Sequence, residues 1–126
     1  MKGLILAAHG SKKITSNQEI VKLSEQVSNS LSMDFDFVDV GFLELATPKL
    51  PELLVDMILS KSVDEITIFP YFLAAGVHVS QDLPEIISDV QLRYPAVKIN
   101  VLPHIGSTEF MSNYICDFLK TSSSCT

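Results

Sequence analysis

The sequence is short of basic residues, and it has no basic run longer than the pair Lys12–Lys13. Nine Lys and Arg are outnumbered by fifteen Asp and Glu, which gives a formal net charge of -6. Nucleic acids and anionic membrane surfaces attract proteins through clustered positive charge, which this chain lacks. We therefore expect neither a nucleic acid nor a membrane among its partners.

Cysteine is scarce, and long apolar runs are missing. Cys116 and Cys125 do not have C-x-x-C spacing, so we expect no disulfide framework, and we predict that Cys116 packs in the core. The longest apolar stretch, around residues 66–79, has about 14 residues against the ~20 of a membrane span, and it contains Pro70. The apolar run at the start of the chain is too short for the core of a signal peptide, so we expect a cytoplasmic protein.

What the sequence does contain is an alternation of strand and helix patterns. Short apolar or alternating runs predict four strands, and apolar stripes at helical spacing predict a helix after each of them. The predicted strands cover residues 3–8, 35–40, 65–70 and 97–102. A βαβαβαβα order implies right-handed crossovers, and therefore a parallel sheet with helices on both faces. We predict a small doubly wound α/β domain over residues 1–120, followed by a flexible tail over 121–126.

The chemistry-bearing residues follow these strands. His9 comes after the first strand, Glu44 after the second, His78 after the third and His104 after the fourth. Ligands of open parallel sheets bind outside the carboxyl ends of the strands, so these side chains are expected along one edge. Two neutral imidazoles can hold a borderline metal ion or move protons near neutral pH, and a carboxylate can exchange protons.

Each of these residues also has a structural interpretation. His9 and His78 could be histidines that only hydrogen-bond to neighbouring loops, and Glu44 could be a solvated loop carboxylate. His104, which follows Pro103, is better explained as a structural residue than as a ligand. The loop 73–77 has only small or apolar side chains, which suits a large flat ligand better than a phosphate group.

Three segments together resemble a known family. They are Leu-Ile-Leu-Ala-Ala-His-Gly-Ser at 4–11, Gly-Phe-Leu-Glu at 41–44 followed by Pro48, and Phe-Pro-Tyr-Phe-Leu-Ala-Ala-Gly-Val-His at 69–78 followed by Asp-Leu-Pro at 82–84. In order and spacing the chain resembles the class II tetrapyrrole chelatases, and most closely their short, single-domain form, the sirohydrochlorin cobaltochelatases. The likeness covers about residues 3–103.

The resemblance implies a lyase that inserts a divalent metal ion, first of all Co²⁺, into sirohydrochlorin in tetrapyrrole and cobalamin biosynthesis. It implies that His9 and His78 are metal ligands and that His9, Glu44 and His78 are catalytic. It also implies a homodimer without a permanently bound cofactor, in which the metal is a substrate. The residues implied to contact the tetrapyrrole are Glu44, Phe72, Leu73, Ala74, Ala75, Gly76 and Val77.

Other functions stay open on the sequence alone. A ferrochelatase or nickelochelatase of the same family would use the same residues, because Co²⁺, Ni²⁺ and Fe²⁺ all accept imidazole ligands. A non-catalytic metal or tetrapyrrole-binding module is a further alternative. A histidine phosphatase would use His9 as its nucleophile, but Ala8 occupies the place where such enzymes carry an arginine.

Overall fold

The computed structural model describes the backbone of residues 1–124, and the side chains of these residues apart from 78, 79 and 122–124. Strands and helices alternate over this part of the chain. In chain order they are β1 (Lys2–Ala8), α1 (Ile14–Ser30), β2 (Phe37–Phe42), α2 (Leu50–Leu59), β3 (Glu65–Pro70), a π-helical turn (His78–Asp82), α3 (Leu83–Arg93), β4 (Lys98–Val101), a 3₁₀ helix (Ile105–Ser107) and α4 (Glu109–Ser124).

The four strands form one parallel sheet in the order β2-β1-β3-β4. This confirms the predicted α/β class, and it makes β2 and β4 the edge strands of the sheet. The chain moves outward from β1 to β2, crosses back to β3 on the other side of β1, and then continues to β4. The strand order therefore reverses between β1 and β3, which is where open α/β sheets form their binding crevice.

Apolar side chains of the sheet pack in two layers. On one face, Ile5, Ile66 and Ile68 pack against the buried stripes of α2 and α3, which include Leu54 and Val90. On the other face, a smaller cluster joins β1 and β2 to α1. Because α1 packs on the face opposite to α2 and α3, the loops after β1 and β3 lead to opposite sides of the sheet and leave a crevice between them.

The second strand begins two residues later than the sequence pattern predicts. The backbone N–H of Phe35 donates to the carbonyl of Leu31 at 3.0 Å, in the turn that closes α1, so Phe35 is not available to the sheet. Gly41 and Phe42 consequently belong to β2 and are buried, although the sequence places them in a loop. Glu44 therefore lies only two residues beyond the end of a strand.

The last helix differs most from expectation. The prediction that Cys116 packs in the core is wrong, because this thiol is exposed on α4. The helix also continues to Ser124, past the point where a flexible tail was predicted, while residues 125 and 126 lie outside the described part of the chain. The division into a domain of residues 1–120 and a tail stays a prediction. Among the described residues, no helix combines the length and the apolar character needed to cross a membrane.

Candidate functional site

The loops after β1 and β2 are joined by backbone hydrogen bonds that extend the sheet beyond its strands. The N–H of Leu43 donates to the carbonyl of Ala8 at 2.9 Å, and the N–H of Glu44 donates to the carbonyl of His9 at 3.0 Å. Paired backbone groups restrict both loops, because breaking either bond would leave a partly buried donor and acceptor without each other. His9 and Glu44 are thus held next to each other by the main chain.

Gly10 allows this close approach of the two loops. Its φ is +94°, a conformation that side chains disfavour, and a Cβ at this position would overlap the carbonyl oxygen of Glu44. The same carbonyl accepts the N–H of Ala46 at 2.8 Å, so it is fixed from the other side as well. A residue with a side chain at position 10 would therefore push the two loops apart.

The side chains of His9 and Glu44 add a side-chain contact between the two loops. Nε2 of His9 lies 2.9 Å from Oε1 of Glu44, and the two side chains are 46% and 42% exposed. The apolar residues around Glu44 therefore do not enclose its carboxylate. A neutral imidazole that donates from Nε2 carries its lone pair on Nδ1, so the carboxylate selects the ring nitrogen that can accept a proton or a cation.

Asn17 supports the loop that carries His9, and sequence reasoning missed it. Its side-chain amide accepts the N–H of Ser11 at 2.9 Å and donates to the carbonyl of Ser11 at 2.7 Å. The hydroxyl of Ser11 in turn accepts the N–H of Lys13 at 3.0 Å. An asparagine near the start of a helix is a weak sequence signal for such support, because asparagine there more often caps its own helix.

The loop after β3 borders the other side of the crevice. It is anchored where the N–H of Tyr71 donates to the carbonyl of Ala7 at 2.8 Å, which continues the pairing of β3 with β1. Phe72 is half-buried against the core, and the side chains from Leu73 to Val77 are open to solvent, with Leu73 76% and Val77 64% exposed. Among the described residues, no heavy atom lies within 4 Å of the place that a Cβ on Gly76 would occupy.

His78 begins the π-helical turn that follows this loop. The turn is closed by Ser80, whose N–H and hydroxyl both donate to the carbonyl of Gly76, at 3.0 and 2.9 Å. The side chain of His78 lies outside the described residues. The expectation that its imidazole meets that of His9 across the crevice therefore stays a prediction.

His104 belongs to a different part of the surface. It lines a cavity of about 600 Å³ between α3 and the end of β4, together with Pro70, Leu83 and Pro84. Since β3 lies between β1 and β4, two strand spacings, roughly 10 Å, separate the strand ends that carry His104 and His9. Within the described part of the chain, no three His, Cys, Asp or Glu side chains are grouped closely enough to hold a metal ion.

Comparison with known proteins identifies the family of this chain. The family model CbiX matches residues 3–122. The chain belongs to the CbiX family. It is 38% identical over 87 residues to a sirohydrochlorin cobaltochelatase of Methanopyrus kandleri, a match that covers 69% of this chain and 59% of that protein. It is 34% identical to the sirohydrochlorin cobaltochelatase of Sulfurisphaera tokodaii, with 86% and 83% of the two chains covered.

The CbiX fold is also found among solved structures. A CbiX protein from Marinobacter aquaeolei VT8, named for cobalamin (vitamin B12) biosynthesis, superposes with a TM-score of 0.82 at 28% identity and over 100% of both chains. The match to the Methanopyrus protein, in contrast, spans less than two thirds of that protein's length. Membership of the CbiX family confirms the resemblance drawn from the three sequence segments.

Proposed function

We propose that this CbiX chain inserts a divalent metal ion, first of all Co²⁺, into sirohydrochlorin. The observation that carries the proposal is the His9–Glu44 pair, with its 2.9 Å contact beside the point where the strand order reverses. Relatives named sirohydrochlorin cobaltochelatase support the choice of substrate and metal. In this role the metal is a substrate, and we propose no permanently bound cofactor.

His9 and His78 are the proposed metal ligands. Carboxylates that accept a hydrogen bond from a metal-binding histidine orient its ring and fix its tautomer, which is the role of Glu44 in this site. Two nitrogen ligands are fewer than the four of a closed structural site, so the ion can be released to the macrocycle. Imidazole suits Co²⁺, Ni²⁺ and Fe²⁺, so a ferrochelatase or nickelochelatase would use the same pair.

Metal insertion replaces two pyrrole N–H protons by one M²⁺ ion, and both protons must leave the ring. We propose that the His9–Glu44 pair accepts them one at a time and passes them to water, with the carboxylate of Glu44 as the acceptor while the lone pair of His9 holds the ion. Their side chains are about half exposed, which gives both groups access to solvent. After each transfer the acceptor can therefore release its proton directly to water.

The loop of residues 72–77 is the proposed wall for the macrocycle. Its side chains are apolar and its outer part is exposed, so it can cover a flat apolar ring and lose contact with water on binding.

The carboxylate arms of the substrate need cations, which an acidic protein supplies only locally. Lys12 and Lys13 are exposed on the loop that begins with His9, and we assign them to these arms.

The proposal includes a homodimer in the cytoplasm, where an exposed thiol such as that of Cys116 stays reduced.

Purified protein is mixed with sirohydrochlorin and Co²⁺, Ni²⁺ or Fe²⁺ without oxygen, and the change in absorption is followed against a protein-free blank. Many turnovers per chain with at least one metal are expected, and the rates rank the three metals as substrates. Tight binding of metal or tetrapyrrole without turnover would instead indicate a non-catalytic binding module.

A further inference from the structure

The loop after β2 makes a tight turn around Leu45, directly beside the His9–Glu44 pair. The N–H of Ala46 donates to the carbonyl of Glu44, two residues back in the chain, at 2.8 Å, and φ of Leu45 is +65°. A hydrogen bond of this span around a residue with positive φ closes a γ-turn of the rare, strained kind. The Cβ of leucine disfavours this conformation, so leucine at the centre of the turn costs free energy that glycine would not.

Contacts on both sides of Leu45 hold the turn in this conformation. Before it, the N–H of Glu44 donates to the carbonyl of His9 at 3.0 Å, and a Cβ on Gly10 would overlap the carbonyl oxygen of Glu44. After it, Ala46 packs against the buried cluster that joins β1 and β2 to α1. Because both neighbours are fixed, Leu45 cannot relax to a negative φ unless one of these contacts is broken.

The side chain of Leu45 is left open to solvent by this turn. It is 51% exposed, although Glu44 and Ala46 on either side of it are half-buried. An exposed leucine alone is ordinary for a protein surface. Here the exposed leucine is also strained, and it adjoins the residues proposed to bind the metal ion and to accept protons. Strained backbone is concentrated at ligand-binding sites, where it positions a group for function.

Ser62 provides a comparison, because it also has a positive φ, of +54°, without being glycine. It follows α2, where the N–H of Val63 donates to the carbonyl of Met57 at 3.0 Å. Helices commonly end on a left-handed residue, so the conformation of Ser62 has a structural explanation. Ser62 also lies before β3, and therefore at the end of the sheet opposite to His9. Leu45 ends no helix, since α2 begins only at Leu50.

We propose that the side chain of Leu45 is a further binding contact for the tetrapyrrole, on the side of the crevice opposite to the loop of residues 72–77. This inference rests on the proposed function, because it concerns the same substrate. The γ-turn holds the leucine outward one residue from Glu44, where an apolar ring bound at the His9–Glu44 pair covers it. Burial of the exposed part of the leucine against the ring favours binding and offsets the strain of the turn.

The proposed contact acts on binding and not on the chemical step. Leucine has no group that coordinates a metal ion or transfers a proton, and its contact with the ring is the same before and after metal insertion. Substitution of Leu45 should therefore raise the KM for sirohydrochlorin and leave both kcat and the KM for Co²⁺ unchanged. This pattern differs from that expected for His9 and Glu44, whose substitution lowers kcat.

A substitution by glycine separates the strain of the turn from the contact with the ring. Leu45→Gly removes the side chain and suits a positive φ, so we expect a urea midpoint equal to or above that of the wild type. Binding of metal-free sirohydrochlorin, titrated by its absorption, should weaken about fivefold or more. Ser62→Gly is the matched control, because it relieves a positive φ away from the site and should leave the dissociation constant unchanged.

Two further variants distinguish a side-chain contact from an effect of loop flexibility. Leu45→Asn tolerates a positive φ but is polar, so it should bind as weakly as Leu45→Gly. Leu45→Met keeps an apolar side chain of similar volume, so its dissociation constant should stay within about twofold of the wild type. Tight binding by Leu45→Asn, weak binding by Leu45→Met, or a lower urea midpoint of Leu45→Gly would overturn the proposal.

Titration without metal separates this proposal from the proposed reaction. If the wild type binds and metallates sirohydrochlorin and the Leu45 variants bind it equally well, the reaction stands and the role of Leu45 is wrong. If Leu45→Gly weakens binding but the wild type inserts no metal, the contact stands and the chelatase reaction is wrong. A wild type that does not bind sirohydrochlorin would overturn both.

Discussion

The carbonyl oxygen of Glu44 lies against the Cα of Gly10, so the two loops of the candidate site touch through their backbones. This contact, together with the hydrogen bond from the N–H of Glu44 to the carbonyl of His9, leaves no space for a side chain between the loops. Because the two backbones touch, the carboxylate of Glu44 lies within hydrogen-bond distance of the imidazole of His9. The backbone of the two loops therefore sets the pairing of His9 with Glu44.

The backbone contact predicts that Gly10→Ala is costly. An added methyl group would overlap the carbonyl of Glu44 at a φ that L-residues disfavour, so we expect the free energy of unfolding to fall by about 2–3 kcal/mol. Urea denaturation measures the loss. Gly76→Ala is the control, since open space surrounds that position, and its effect should stay within about 0.5 kcal/mol. Equal stability of the two variants would show that the contact at Gly10 is not needed.

The role proposed for His9 predicts that His9→Ala loses metal insertion while it keeps its fold. Without the imidazole the ion loses one of its two proposed ligands, and Glu44 loses its partner in proton transfer. We therefore expect kcat to fall about 100-fold or more. The matched control is His104→Ala, because His104 lines a different cavity. The absorption change on cobalt insertion gives the rate, and circular dichroism checks the fold. A His9→Ala enzyme with the rate of the His104→Ala enzyme would contradict the assignment.

The His9–Glu44 pair predicts a smaller effect of Glu44→Gln. The amide oxygen still accepts the hydrogen bond from Nε2, but the negative charge that stabilises a protonated imidazole is lost. We expect metal insertion to slow about 10–100-fold, as for other carboxylates behind metal-binding histidines. Comparison with Glu52→Gln, a carboxylate in the first turn of α2, controls for the change in net charge. A rate that depends equally on both substitutions would argue against a specific role of Glu44.

The hydrogen bonds of Asn17 predict that this residue affects activity, although it is not proposed to touch the substrate. In Asn17→Ala both hydrogen bonds to Ser11 are lost, so the loop that carries His9 becomes less ordered. We expect kcat to fall about tenfold, with a loss of stability of about 1–2 kcal/mol. The neighbouring Gln18→Ala, on the exposed side of α1, should change neither quantity. If Asn17→Ala destabilised the protein without any change in kcat, Asn17 would be a purely structural residue.

Local patterns predicted most of the secondary structure because they depend on neighbouring residues alone. The apolar run before His9 is found as the buried strand β1, and the apolar spacing after the second strand is found as the helix α2, which buries Leu50, Leu53, Leu54 and Met57. The start of β2 was misplaced because the turn at the end of α1 uses Phe35.

The apolar stripe of an amphipathic helix does not show which surface covers it. The stripe of α4 predicts burial as clearly as that of α2, and yet Phe118 and the neighbouring Cys116 are exposed. The periodicity of a helix records that one face avoids water, but the partner surface can belong to the same chain or to another.

By itself, the sequence determined the element types, the parallel α/β class and the position of His9, Glu44 and His78 after successive strands, because these follow from local periodicity and from the handedness of crossovers. Only the tertiary structure decided the strand order, the pairing of His9 with Glu44, the support from Asn17 and the exposure of α4. Those features depend on contacts between residues that are distant in the chain, and such contacts leave no periodic signal in the sequence.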